Sequence, residues 1–147
     1  MKETILIIED QADILALLSS LLAREGYNIL TARNGREGLD KFQEHSPDLI
    51  LTDVRMPIMD GIEVLREVKT KESDTEVIIL TGYPDKAAAI DCLRLGAYEY
   101  FCKPLDSIKV LLTAVELVLE KRDLELKNRA LFQQLEEMSI KDSLTGL

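Results

Sequence analysis

Four apolar runs in this chain each end in a side chain able to take part in ionic or phosphoryl chemistry. Leu49-Ile50-Leu51-Thr52 runs into Asp53, and Val54-Arg55-Met56-Pro57-Ile58-Met59-Asp60-Gly61 follows at once. Ile5-Leu6-Ile7-Ile8 ends in the acidic pair Glu9-Asp10, and Val77-Ile78-Ile79-Leu80 ends in Thr81. Tyr98-Glu99-Tyr100-Phe101 leads to Lys103-Pro104. Clustered carboxylates repel one another and raise each other's pKa unless positive charge compensates. Carboxylate and carbonyl oxygens without His or Cys beside them suit a hard ion, most naturally Mg²⁺. A carboxylate beside such an ion can also act as a nucleophile and form an aspartyl phosphate. The Lys103 ammonium and the Thr81 hydroxyl are suited to receiving phosphoryl oxygens.

These residues need a scaffold that brings strand ends together. Buried parallel strands read as continuous apolar runs, and α/β sheets bind ligands beyond the carboxyl ends of their strands. Between the runs the apolar period changes to that of a helix. Ile14, Leu15, Leu17, Leu18, Leu21 and Leu22 form one such stretch, stopped by Gly26. Asn34 caps a second helix, with Glu37 in capping-box position and Leu39 and Phe42 facing inward. Asp60-Gly61-Ile62-Glu63 opens a third helix, a fourth runs from about Pro84 to Leu95, and a last one follows Pro104. With Tyr27–Ala32 read as a further strand, five β-α repeats in residues 1–120 predict an α/β fold with a parallel sheet covered on both faces. The expected strand order is the flavodoxin-like 2-1-3-4-5, in which strands 1 and 3 are neighbours and Glu9-Asp10 meets Asp53.

With these pieces in order, residues 1–120 resemble a response-regulator receiver domain of two-component signalling. The resemblance rests on Glu9-Asp10, on Asp53 through Gly61, on Thr81-Gly82 and on Tyr100-Phe101-Cys102-Lys103-Pro104. It implies that Asp53 accepts a phosphoryl group from the phosphohistidine of a sensor histidine kinase, with Lys103 and Thr81 assisting. It implies that Asp10, Asp53 and the Arg55 backbone carbonyl hold Mg²⁺, with Glu9 acting largely through water. Thr81 and Tyr100 would be the switch pair, and a cis peptide would join Lys103 to Pro104. Glu9 stands where one common form of the acidic pair has Asp. A haloacid-dehalogenase-type phosphatase, which also uses an Asp on such a sheet, expects a second Asp two residues on, where this chain has Arg55.

The final helix outgrows the domain. No Pro or Gly interrupts Ser107 to Met138, a length of roughly 48 Å as helix. Leu117, Leu124, Leu131 and Met138 repeat every seven residues at d, with Ala114, Lys121, Asn128 and Leu135 at a. Residues 121–140 therefore read as a two-stranded coiled coil that joins two copies of the chain, and residues 141–147 as the start of a further domain. Lys141-Asp142-Ser143-Leu144-Thr145-Gly146-Leu147 resembles the entry to a diguanylate cyclase (GGDEF) domain. That resemblance implies a full-length cyclase making cyclic-di-GMP, controlled by the geometry of the dimer; this chain itself carries no cyclase chemistry. The alternative is a free-standing receiver or adaptor that docks a partner through its helix 4–strand 5–helix 5 face.

Composition limits the partners. Net charge is −9, which argues against a nucleic-acid backbone or an anionic membrane surface. Residues 121–147 hold five basic and five acidic side chains, so the excess lies in 1–120. Cys92 and Cys102, read as small buried hydrophobes, point to a reducing compartment rather than a disulfide framework. With no long apolar stretch and no signal peptide at Met1-Lys2-Glu3-Thr4, the expected location is the cytoplasm.

Overall fold

In a computed structural model of the chain, five strands alternate with five helices. They are β1 (Thr4–Ile8), α1 (Ala12–Arg24), β2 (Asn28–Ala32), α2 (Gly35–His45), β3 (Leu49–Thr52), α3 (Gly61–Lys71), β4 (Glu76–Thr81), α4 (Lys86–Arg94), β5 (Glu99–Cys102) and α5 (Ile108–Thr145). The structure describes residues 3–71, 74–82, 85–102 and 108–145, with side chains in α5 described as far as Met138. The strands form one parallel sheet, as the alternation of apolar periods predicts, in the expected flavodoxin-like order β2-β1-β3-β4-β5.

The sheet divides its own side chains between two cores, because successive residues of a strand point to opposite faces. Ile5, Ile7, Leu49, Leu51, Ile78 and Leu80 pack under α1 and α5, against Leu18, Leu22, Leu111, Val115, Val118 and Leu119. Leu6, Ile8, Ile50, Val77 and Ile79 pack against Leu39 and Phe42 of α2, Val64, Leu65 and Val68 of α3, and Cys92 of α4. Polar groups are thereby pushed to the strand ends, where the sheet's carboxyl edge meets solvent.

Local signals set the helix starts. Asn34 Oδ1 accepts from Glu37 N at 2.9 Å, and Glu37 Oε2 reaches back to Arg33 N at 3.3 Å. Asp60 Oδ1 accepts from Glu63 N at 2.9 Å, and Asp85 caps α4 by accepting from Ala87 N and Ala88 N. Gly26 takes the left-handed φ of 96° that its place after α1 requires. Leu17 lies on the outer side of α1; only Leu18 and Leu22 of that helix face the sheet fully. One expectation is corrected. Cys102 is exposed where β5 ends, whereas Cys92 is buried and its burial pushes the thiol up, away from the reactive thiolate.

Among the described residues no helix is long and apolar enough to cross a membrane. The 38 residues of α5 span about 57 Å, and its first half shows two unlike faces. Leu111 is fully buried and its neighbour Val110 is half exposed. Leu111→Ala should cost about 2–5 kcal/mol, and Val110→Ala no more than about 0.5 kcal/mol. Urea unfolding of both variants in dilute solution checks this contrast.

Candidate functional site

Parallel register builds the site. Ile8 pairs with Thr52 and Thr52 with Ile79, so the residues after them stand level at the carboxyl edge. Two backbone bonds continue the pairing past the strands: Asp53 N donates to Ile8 O at 3.1 Å and Glu9 N to Ala32 O at 3.0 Å. Glu9, Asp10 and Asp53 consequently bring carboxylate oxygens within 4.8 Å of one another. Glu9 and Asp53 are buried and Asp10 is exposed. Oxygens bound to one Mg²⁺ lie up to about 4.2 Å apart, so the all-oxygen set fits that ion with a small contraction.

Each buried carboxylate is oriented by the chain around it. Glu9 Oε2 accepts from Gln11 N at 3.1 Å, which turns it back over the start of α1. Asp53 Oδ1 accepts from Val54 N at 2.6 Å and from Arg55 N at 3.4 Å. Thr52 Oγ1 donates to the Asp53 carbonyl at 2.9 Å and fixes the peptide behind it. The loop then folds tightly over this peptide, with Gly61 N donating to Val54 O at 2.8 Å. A Cβ at Gly61 would stand 2.1 Å from the Asp53 carbonyl oxygen, so only glycine permits that approach. Gly61 is thus a positioning residue for Asp53. Its place in the motif is legible in sequence, but its clearance from Asp53 is a three-dimensional fact.

The outer part of the loop is strained. Met59 N donates to Pro57 O at 2.8 Å, closing a three-residue turn centred on Ile58, whose φ is 74°. This is the rare positive-φ form of the γ-turn, here carried by a β-branched residue that is 80% exposed. Neighbouring contacts hold it: Gly35 N donates to Met59 O at 3.2 Å, and a Cβ at Gly35 would lie 2.5 Å from that oxygen.

Other site residues fall as follows. Thr81 ends β4, buried, one residue beyond the level of Asp53. Tyr100, on β5 beside β4, is partly buried, and its hydroxyl is buried beside the backbone of Asp85. Burial pushes its phenol up, so it stays neutral. The ring lines a cavity of about 420 Å³ with Asp85, Lys86, Ala89 and Cys102. Arg55 is exposed on the loop two residues after Asp53. Lys103, and with it the bond to Pro104, lies outside the described residues.

Along α5, Leu117, Leu124, Leu131, Leu135 and Met138 are each more than half exposed, so this stripe does not pack on its own domain. Asn128 is exposed with them. Lys121, assigned to the same seam, reaches sideways to its own domain: its Nζ lies 3.1 Å from Glu76 Oε2 and 5.6 Å from the centre of the Tyr98 ring.

Comparison with known proteins agrees with this geometry. Residues 5–116 match the response regulator receiver domain family, and the chain belongs to it. Receivers of two-component systems take phosphoryl groups from histidine kinases and bind Mg²⁺ at an acidic pocket. The regulatory protein AtoC of Escherichia coli (strain K12) is 37% identical over 131 residues, covering 89% of this chain and 28% of AtoC. Sporulation initiation phosphotransferase F of Bacillus subtilis (strain 168) is 41% identical over 106 residues, covering 72% of this chain and 86% of that protein. A response regulator receiver domain protein from Clostridium thermocellum superposes with a TM-score of 0.78 at 37% identity, over 84% of this chain and 98% of that one. The chain spans little more than a quarter of AtoC and most of the phosphotransferase.

Replacing Ile58 by Gly should raise stability by about 1 kcal/mol, the released strain exceeding the added freedom of the unfolded chain. Ile58→Ala should bring no such gain. Thermal midpoints of the two variants decide it.

Proposed function

We propose that Asp53 is the phosphoacceptor of this receiver and that Glu9, Asp10, Asp53 and the Arg55 carbonyl hold the Mg²⁺. The observation that carries this reading is the convergence of three carboxylates within 4.8 Å at the ends of adjacent strands. Bound Mg²⁺ would neutralise charge that builds on the phosphoryl oxygens as they approach this acidic edge. An Asp53 carboxylate oxygen attacks phosphorus, the bond from phosphorus to the kinase imidazole nitrogen breaks, and the imidazole leaves carrying a proton. Asp53 suits this role because backbone donors already fix its carboxyl group and the tight Gly61 turn keeps its peptide from swinging. Lys103 would pair with the transferred group, and Thr81 would donate a hydrogen bond to it. Tyr100, with its hydroxyl buried beside the start of α4, would report the change to the α4–β5 side.

The chain then divides into a receiver (1–120), a signalling helix (121–140) and the beginning of an output unit (141–147). The exposed heptad stripe supports pairing with a second copy, side by side and in register. Asn128 at an a position can hydrogen-bond its twin only when two parallel helices are aligned. A diguanylate cyclase output is supported by the segment from Asp142 to Leu147 alone. The relatives carry regulatory and phosphotransferase names instead. The adaptor reading draws on the exposed apolar residues Ile90 and Leu93 of α4 and Val110 of α5, which flank β5. The coding sequence that follows Leu147 separates the two.

Incubation with a small-molecule phosphodonor and Mg²⁺ should add one phosphoryl group, and EDTA or Asp53→Asn should prevent it. Intact-mass measurement shows the outcome, and labelling that survives Asp53→Asn would sink the assignment. Millimolar Mg²⁺ should also raise the melting temperature, since it binds the folded arrangement of carboxylates and not the unfolded chain. Asp10→Asn should remove most of that rise; a melting temperature indifferent to Mg²⁺ in the parent protein counts against the metal site.

A further inference from the structure

The edge of the sheet opposite the acidic site holds a second ionic cluster, and all of its basic members on the long helix come from residues 121–129. Arg122 Nη1 lies 2.9 Å from Asp48 Oδ1, and Arg122 Nε donates to the Asp74 carbonyl at 2.7 Å. Arg129 Nη2 lies 2.8 Å from Asp74 Oδ1, and this contact holds the Asp74 carboxyl below the usual carboxylate range. Glu76 is 8% exposed and takes both Lys69, at 3.3 Å from Oε1, and Lys121, at 3.1 Å from Oε2. Asp48 precedes β3 and is tied to β1 by accepting from Thr4 N at 2.8 Å; Asp74 and Glu76 stand at the start of β4. Asp48 and Glu76 are therefore tied to the sheet's frame, and Asp74 lies in the turn that leads into β4.

Isolated surface ion pairs contribute little because holding two long side chains still costs entropy. This cluster differs in two respects. Arg122 is largely covered and bonds two different residues through its planar fork, and Glu76 is buried between two ammonium groups. The basic residues also share one side of α5 with its buried apolar residues. At about 100° per residue, Arg122 and Arg129 continue the line of Leu111, Val115 and Val118, while Leu117, Leu124, Leu131 and Leu135 lie roughly 150° away.

We propose that Asp48, Asp74 and Glu76 form a lock on Lys121, Arg122 and Arg129 that fixes the rotation of α5 about its own axis. The receiver and the helix as far as Arg129 thereby move as one body. The lock aims the apolar stripe away from its own domain and toward a second copy of the chain. The lock is a property of one chain; its use in aiming the stripe rests on the pairing proposed above.

The test uses the full 147-residue chain with spin labels at Gln43→Cys on α2 and Ala130→Cys on α5, in a Cys102→Ser background. Labelled protein is diluted into unlabelled protein, so only the distance within one chain is read. The parent should give a narrow distribution, and Arg122→Ala with Arg129→Ala should roughly double its width. The pair Arg122→Lys with Arg129→Lys, which keeps the charge, should remain closer to the parent. Phosphodonor labelling at Asp53 should be unchanged in both, which reports an intact receiver. A distribution as narrow in the double alanine variant as in the parent overturns the lock. Sedimentation reads pairing separately: a monomeric parent with the stated distance changes would leave the lock standing and remove only the pairing.

Discussion

Like charges are forced together at one edge of this molecule, and much of its local architecture serves to hold them there. Glu9, Asp10 and Asp53 would separate if the backbone allowed it. The ladder of parallel hydrogen bonds continues past β1 and β3 through Glu9 N and Asp53 N, so the acidic residues cannot move apart without breaking the sheet. Two fully packed cores stabilise that sheet from either side. Binding energy stored in this way favours a cation, or a reaction that places positive and transferred groups among the carboxylates. The loop from Asp53 to Gly61 adds rigidity on the outer side, where a strained turn at Ile58 is held by its contact through Met59 with Gly35.

The fold was legible because most of its strands are apolar runs of strand length, and because helices between them begin with residues such as Asn34 and Asp60 that cap. Asp53, Glu9, Asp10 and Thr81 were legible for the same reason: each stands at or next to the end of such a run. Cys102 misled because a short edge strand exposes residues that a central strand would bury.

Other features had no signal in the sequence at all. Nothing in the residue type of Ile58 announces a positive φ. The spacing that assigns Lys121 to a heptad seam is correct as spacing, yet Glu76, 45 residues earlier, draws its ammonium toward the domain. Asp48, Asp74 and Glu76 read as ordinary solvated charges, because their common position at the amino edge follows only from the strand order. Pairings between residues so far apart in the chain become visible once the topology is known.

Helix α5 continues for 16 residues from Arg129 to Thr145, a free arm of about 24 Å. Anchored at its root, such an arm acts as a pointer. A tilt of about 10° at the domain would sweep its tip through about 4 Å, most of the roughly 5.4 Å between successive turns of a facing helix. A receiver needs to shift very little to change which residues meet at the far end, provided the root does not give.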